Sequence, residues 1–149
     1  MKKWTAVATV VAMMILTVFS AGSAQAAEIA IEGTDQMTYN MTAFTVKSGE
    51  TVKLTLKHVG SLPKAVMGHN VVVLAAGEDV DAFTTAAAQA FDTEYFPVAY
   101  EDKVLAKTKL LGPGESETVE FTAPAPGTYT YVCTFPGHNI MMRGIMTVE

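Results

Sequence analysis

From Thr51 to Lys57 apolar and polar side chains alternate without interruption, Thr51-Val52-Lys53-Leu54-Thr55-Leu56-Lys57, the period-two pattern of a strand that buries one face. A weaker form of the same pattern runs through Glu28 to Glu32, Met37 to Asn40 and Phe44 to Val46, separated by the turn signals Gly33-Thr34-Asp35 and Lys47-Ser48-Gly49-Glu50. After a loop containing Pro63, Asn70 to Leu74 is a continuous β-branched run, which suits a strand covered on both sides. Val104 to Leu110, Ser116 to Thr122, Thr128 to Thr134 and Ile140 to Val148 complete the strand candidates, with turns at Gly112-Pro113-Gly114-Glu115 and Pro124-Ala125-Pro126-Gly127. One interval breaks the rhythm. Glu78 to Asp92 is alanine-rich and opens with acidic residues, which predicts an inserted helix of about three turns. Seven or eight short strands at this spacing predict an all-β sandwich or barrel.

The first 26 residues follow another logic. Lys2 and Lys3 precede an uncharged apolar run from Trp4 to Phe19, and Ala24-Gln25-Ala26 offers the small-x-small pattern cut by signal peptidase. The run is short for a bilayer core of ~30 Å, and no basic stop-transfer cluster follows it. Residues 1–26 therefore predict a secretory signal peptide, and Ala27 to Glu149 a single exported domain without a membrane anchor, free in the periplasm.

Charge narrows the functions open to that domain. The whole chain carries 10 basic and 15 acidic residues; without Lys2 and Lys3 the balance is 8 − 15 = −7. Such a surface has no electrostatic reason to seek nucleic acid. The lone cysteine, Cys133, cannot form an internal disulfide, and an unpaired thiol in an oxidising compartment points to a retained purpose. The only tryptophan, Trp4, leaves with the leader, so the mature protein should lack tryptophan emission.

The chemistry gathers near the C-terminus, in Cys133-Thr-Phe-Pro-Gly-His138-Asn-Ile-Met141-Met142-Arg-Gly144. Singly, a buried cysteine is a small hydrophobe, methionines fill core gaps, and a lone histidine merely packs. Together they say more, because Phe135-Pro136-Gly137 demands a tight turn that brings Cys133 and His138 onto one loop. A thiolate, an imidazole and a thioether on one loop form a soft site of the kind Cu(I) prefers. His69, in Met67-Gly68-His69-Asn70 at the mouth of the buried strand, is the candidate second imidazole.

These residues carry a resemblance. Gly33-Thr34-Asp35-Gln36-Met37, His58, Leu62-Pro63-Lys64, Val66-Met67-Gly68-His69-Asn70, Thr108-Lys109-Leu110 and Cys133 to His138 resemble the azurin branch of the cupredoxin family of blue copper proteins; the Cys-x4-His-x3-Met spacing is particular to that branch. The resemblance implies a cupredoxin-like Greek-key fold. It also implies one copper ion held by His69, Cys133 and His138, with Met142 as weak axial ligand and the Gly68 carbonyl as a second, distant one. Met141 competes for the axial place, but Met142 keeps the family gap. Asn70 and the backbone of Phe135 match positions that hydrogen-bond the cysteine sulfur. An apolar surface of Met37, Leu62, Val66, Met67, Phe135, Pro136, Ile140 and Met141 would receive redox partners such as c-type cytochromes or periplasmic oxidoreductases. His58 matches a buried histidine near the site, where it either titrates with redox consequences or simply packs.

Two departures stand out. The disulfide near the start of azurins has no counterpart, since Ile29 and the run Lys47 to Val52 contain no cysteine, and Val71 stands where many azurins carry a core aromatic. The expected function is a periplasmic type 1 (blue) copper electron carrier rather than an enzyme. The rivals are a copper chaperone or storage protein, which would favour a more exposed, methionine-rich site, and an enzyme with Cys133 as nucleophile and His138 as base. Zinc would accept much the same ligands as copper.

Overall fold

The structure is a computed structural model and describes residues 26–149. The leader expected over residues 1–26 lies outside this range apart from its last residue. Eight strands form two sheets. The first sheet has the order β1-β3-β6, with β1 (Ala27–Gly33) parallel and β6 (Ser116–Thr122) antiparallel to β3 (Thr51–His58). The second has the order β2-β8-β7-β4-β5 and contains β2 (Ala43–Val46), β8 (Arg143–Val148), β7 (Gly127–Val132), β4 (Val72–Leu74) and β5 (Val104–Lys107). All its pairs are antiparallel except β2 with β8.

The alternation read in β3 is realised in space. Val52, Leu54, Leu56 and His58 point inward while Thr51, Lys53, Thr55 and Lys57 point away. Val52, Leu54 and Leu56 pack with Ile31 against Val71, Val73, Tyr129, Tyr131 and Met146 of the second sheet, burial that supplies most of the driving force for association of the two layers. The unbroken apolar run of β4 also has its predicted meaning. Val71 and Val73 enter the core between the sheets, whereas Val72 and Leu74 face outward and are covered, with Val132, by Phe83 and Phe96 of the insert.

That insert contains the predicted helix, shortened. Helix α2 spans Val80–Ala88 because the Asp79 side chain caps it, accepting from the N–H groups of Asp81 and Ala82, which leaves Glu78 outside. At its end Gln89 and Ala90 tighten into i−3 bonds to Ala86 and Ala87, and a separate 3₁₀ turn follows over Phe91–Thr93.

Five strand expectations need correction. The strand expected over Thr128 to Thr134 ends at Val132. Met37 to Asn40 is not a strand: Met37 takes φ 57°, and the segment meets β1 only through an isolated bridge of Tyr39 to Gly33 and the bonds of Asn40 with Glu32. Asn70 does not open β4, because its side chain and carbonyl are committed elsewhere (below). β5 stops at Lys107, as the Thr108 hydroxyl takes the N–H of Val71. Ile140 belongs to a 3₁₀ turn over His138–Ile140, so β8 begins at Arg143. The loop after Pro63 holds the one-turn helix α1 (Lys64–Met67), with no buried residue. Among the described residues no helix is long and apolar enough to cross a membrane.

Candidate metal centre

Cys133 leaves the end of β7, and the loop beyond it returns to the start of β8. Its backbone bonds define it: Cys133 N–H donates to the Met142 carbonyl at 2.9 Å, His138 N–H to Phe135 at 3.0 Å and Met142 N–H to His138 at 2.8 Å. Gly137 has φ 82°, in the left-handed region that a residue with a Cβ enters at a cost. The turn expected from Pro136-Gly137 therefore folds His138 back over Cys133, and the sulfur lies 3.7 Å from His138 Nδ1.

His69 arrives from the other side of the strand order, in a bridge with Leu111. Its Nε2–H donates to the carbonyl of Thr34 at 2.9 Å, which leaves Nδ1 as the lone-pair nitrogen. That nitrogen is buried and has no partner among the protein atoms. Gly33 is required here, for a Cβ on it would stand 2.8 Å from the imidazole ring. Candidate ligand atoms of His69, Cys133 and His138 all lie within 4.8 Å of one another, and the three residues are buried.

Burial drives all three toward neutrality. It pulls His69 down to about 4, helped by His58 and opposed by the Thr34 bond. It likewise pulls His138 down to about 4, again helped by His58. The Cys133 thiol is pushed up to about 11 by burial, against backbone N–H groups of Asn70 and Phe135 and the Tyr39 hydroxyl, which favour the thiolate. Two uncharged imidazoles and a soft sulfur, with one buried lone pair unpaired, are what a bound cation requires: it gives Nδ1 a partner and offsets the charge of an ionised Cys133.

Asn70 ties the two ligand segments together. Its Oδ1 accepts from Thr134 N–H at 2.8 Å and its Nδ2 donates to the Thr134 hydroxyl at 2.7 Å, while its carbonyl accepts from the Tyr39 hydroxyl. Asn70 was singled out in the sequence; Thr34 and Thr134 stood only inside the matching stretches, with no role given, because they act through the main chain or a common hydroxyl. Tyr39 was visible only as part of a supposed strand. His58 stacks on His69 with ring centres 4.4 Å apart. Its Nε2–H donates to the Met67 carbonyl at 2.7 Å and its Nδ1 accepts from Gly60 N–H at 3.1 Å, so it has no lone pair to spare. Met142 is wholly buried beside the loop, whereas Met141 is 58% exposed. Gly68 is also buried and ends α1. Met37, Leu62, Val66, Ile140 and Met141 form exposed apolar surface, with Met67 and Phe135 half-buried and Pro136 exposed.

A family model described as copper binding proteins of the plastocyanin/azurin family matches residues 25–149. The chain belongs to this family. Azurin of Pseudomonas denitrificans is 39% identical over 123 residues, covering 80% of this chain and 95% of that one. Azurin of Bordetella pertussis is 39% identical over 140 residues, covering 90% and 92%. Among solved structures, dithionite-reduced auracyanin of Roseiflexus castenholzii superposes with a TM-score of 0.73 at 39% identity, covering 82% of this chain and 96% of that one. For this plastocyanin/azurin family member the cofactor is copper, and the His69–Cys133–His138 cluster is able to hold it.

Proposed function

We propose that the protein is a periplasmic blue copper electron carrier, exported by the leader in residues 1–26, and that it performs no chemistry on a substrate. The observation that carries this reading is the buried trio His69, Cys133 and His138, with the Nδ1 of His69 buried and without a protein partner. Copper, when bound, supplies a centre that alternates between Cu(II) and Cu(I). The chain supplies rigidity. Thr34 fixes the tautomer and tilt of His69, Asn70 locks its own segment to Thr134, and the three backbone bonds of the Cys133–Met142 loop hold sulfur and imidazole in one arrangement. N–H groups of Asn70 and Phe135 directed at the sulfur stabilise its negative charge and so bear on the reduction potential.

In this reading Met142 would be a further, weak ligand, because it is buried at the loop's end while Met141 faces solvent, and the Gly68 carbonyl would lend a weaker contact. Ligands this deeply buried suit a carrier that retains its ion better than a chaperone that surrenders it, and they leave Cys133 out of a substrate's reach. The exposed apolar surface around Met37, Leu62, Val66, Ile140 and Met141 is the docking patch for redox proteins such as c-type cytochromes, whose encounters are brief and bury little area.

The visible spectrum of the mature protein with one equivalent of Cu(II), before and after ascorbate, tests the reading. An intense band near roughly 600 nm, typical of copper–thiolate sites, that bleaches on reduction and is lost in Cys133→Ser is expected. Copper bound without colour would remove Cys133 from the ligands and overturn it.

A further inference from the structure

Beside the metal centre, an aromatic series runs out to solvent. The ring of Phe135 packs against that of His138 with centres 4.6 Å apart, Tyr95 meets Phe135 edge-on at 5.1 Å, and Phe91 meets Tyr95 edge-on at 5.9 Å. Phe91 is 73% exposed. The three rings, with Ala65 and Leu110, line a largely apolar hollow of about 380 Å³ whose rim carries the Lys64–Glu94 ion pair at 2.5 Å.

The backbone is bent to present these rings. Glu94 and Tyr95 take φ 53° and 62° in succession, a conformation that side chains with a Cβ disfavour, and neither is glycine. They are held there by Tyr95 N–H donating to Ala90 at 2.8 Å and by the Thr93 hydroxyl donating to Phe96 at 2.6 Å. Strain maintained by surrounding bonds, beside an aromatic ring left in water, marks a surface shaped for contact.

Charge indicates what makes that contact. Residues 65–102 carry seven carboxylates and no lysine or arginine. Four of them, Glu78, Asp81, Glu94 and Glu101, pair with cations from outside the segment. Asp92, next to Phe91, and Asp102 are exposed and make no ion pair among the described residues. We propose that the hollow between α1 and the Phe91–Tyr95 turn is a second docking face, adjoining the patch around Ile140 and Met141 through α1 and Phe135, for a redox protein whose electron-transfer edge is apolar and ringed by lysines. The unpaired Asp92 beside Phe91, on a chain of net charge −5, steers such a partner, and the hollow seats its apolar edge. The proposal rests on the electron-carrier reading, in which that partner exchanges electrons with the protein.

The test measures binding with the zinc-loaded protein, which cannot exchange electrons, so the outcome does not depend on redox activity. The ¹⁵N-labelled protein is titrated with a basic c-type cytochrome at low and high salt. Amide shifts centred on Phe91, Glu94 and Tyr95 are expected, with Kd about tenfold weaker in Phe91→Ala, the effect of an interface aromatic anchor. Weaker binding in Asp92→Asn with reduced salt sensitivity is expected as well. Phe91 is surface-exposed, so Phe91→Ala should keep the copper–thiolate band unchanged. Shifts confined to the Ile140–Met141 patch with an unchanged Kd in Phe91→Ala would overturn the proposal while leaving the carrier reading intact, and so would shifts at Phe91 that appear with protein concentration alone and signal self-association. A wild-type protein without the band would instead overturn the carrier reading.

Discussion

Loading a divalent ion should release about one proton per chain at pH 7. With pKa values of about 4, His69 and His138 are each only ~0.1% protonated at that pH, and with a pKa of about 11 the Cys133 thiol is only ~0.01% ionised. A metal that takes both imidazole nitrogens and the sulfur therefore displaces one proton, from the thiol. Apparent affinity should rise about tenfold per pH unit between roughly pH 5 and 10, because each unit lowers the cost of that one displacement. At pH 4 each imidazole is half protonated, and the count should climb to about two. Calorimetric titration with Zn(II), which does not oxidise thiols, in buffers of different ionisation enthalpy yields the count directly. Two or more protons at pH 7 would mean that an imidazole is charged before binding, contrary to the burial of both rings. A count near zero would mean that the sulfur does not ligate or is already a thiolate.

Other outcomes follow from single contacts. Replacing Asn70 by Ala leaves the buried Thr134 N–H without its acceptor and should cost about 1–3 kcal/mol in urea unfolding; no loss would show that the cross-tie is unimportant. A Cβ at Gly144 would lie 2.2 Å from the Tyr131 ring and 2.6 Å from the Thr42 carbonyl, whereas one at Gly137 meets open space but at φ 82°. Gly144→Ala should therefore cost about 3 kcal/mol or more by overpacking and Gly137→Ala about 1–2 by backbone strain, and the reverse order would refute the contacts. Both imidazoles have folded pKa values below their unfolded ones, so the stability they confer is full above about pH 6.5 and drains away as pH falls toward about 4. The thermal midpoint of the metal-free protein should drop across that window, and a rise on acidification would be decisive against it. Metal at about 1,000 times its Kd should add about 4 kcal/mol to a domain whose lone cysteine makes no internal disulfide, and equal midpoints with and without metal would refute this.

Much of the fold was legible because one-faced burial writes itself as alternation, as in β3, and two-faced burial as an unbroken apolar run, as in β4. Misreadings fell where side chains or special backbone angles override that pattern. Met37 to Asn40 alternates like a strand, yet Met37 turns left-handed and Tyr39 spends its hydroxyl on Asn70. Helix α1 left no periodic trace, since a single turn that buries nothing needs none. The 3₁₀ segment Val98–Lys103 went unseen for the same reason. At the centre, Cys133 and His138 were legible from the tight turn between them, and His69 because it lies at the mouth of a buried apolar run. The Thr34 carbonyl that orients His69 was not, because every residue carries a carbonyl and only the fold selects one.

Strand β8 lies between β2 and β7, and the bond from Cys133 N–H to the Met142 carbonyl closes just where β8 begins. Order of assembly follows from this. Until the last strand docks, β2 has no partner, and the loop ends that carry Cys133 and Met142 are not joined. His69 waits on the same event, since its companions come from that loop. The β2–β8 pairing and the Asn70–Thr134 tie join segments far apart in the chain, and such non-local contacts are slow to form. Completion of the site therefore requires the folded sheet: an unravelled chain keeps a free thiol but cannot gather the trio around an ion, and firm metal retention becomes a signal that β4, β7 and β8 are in place.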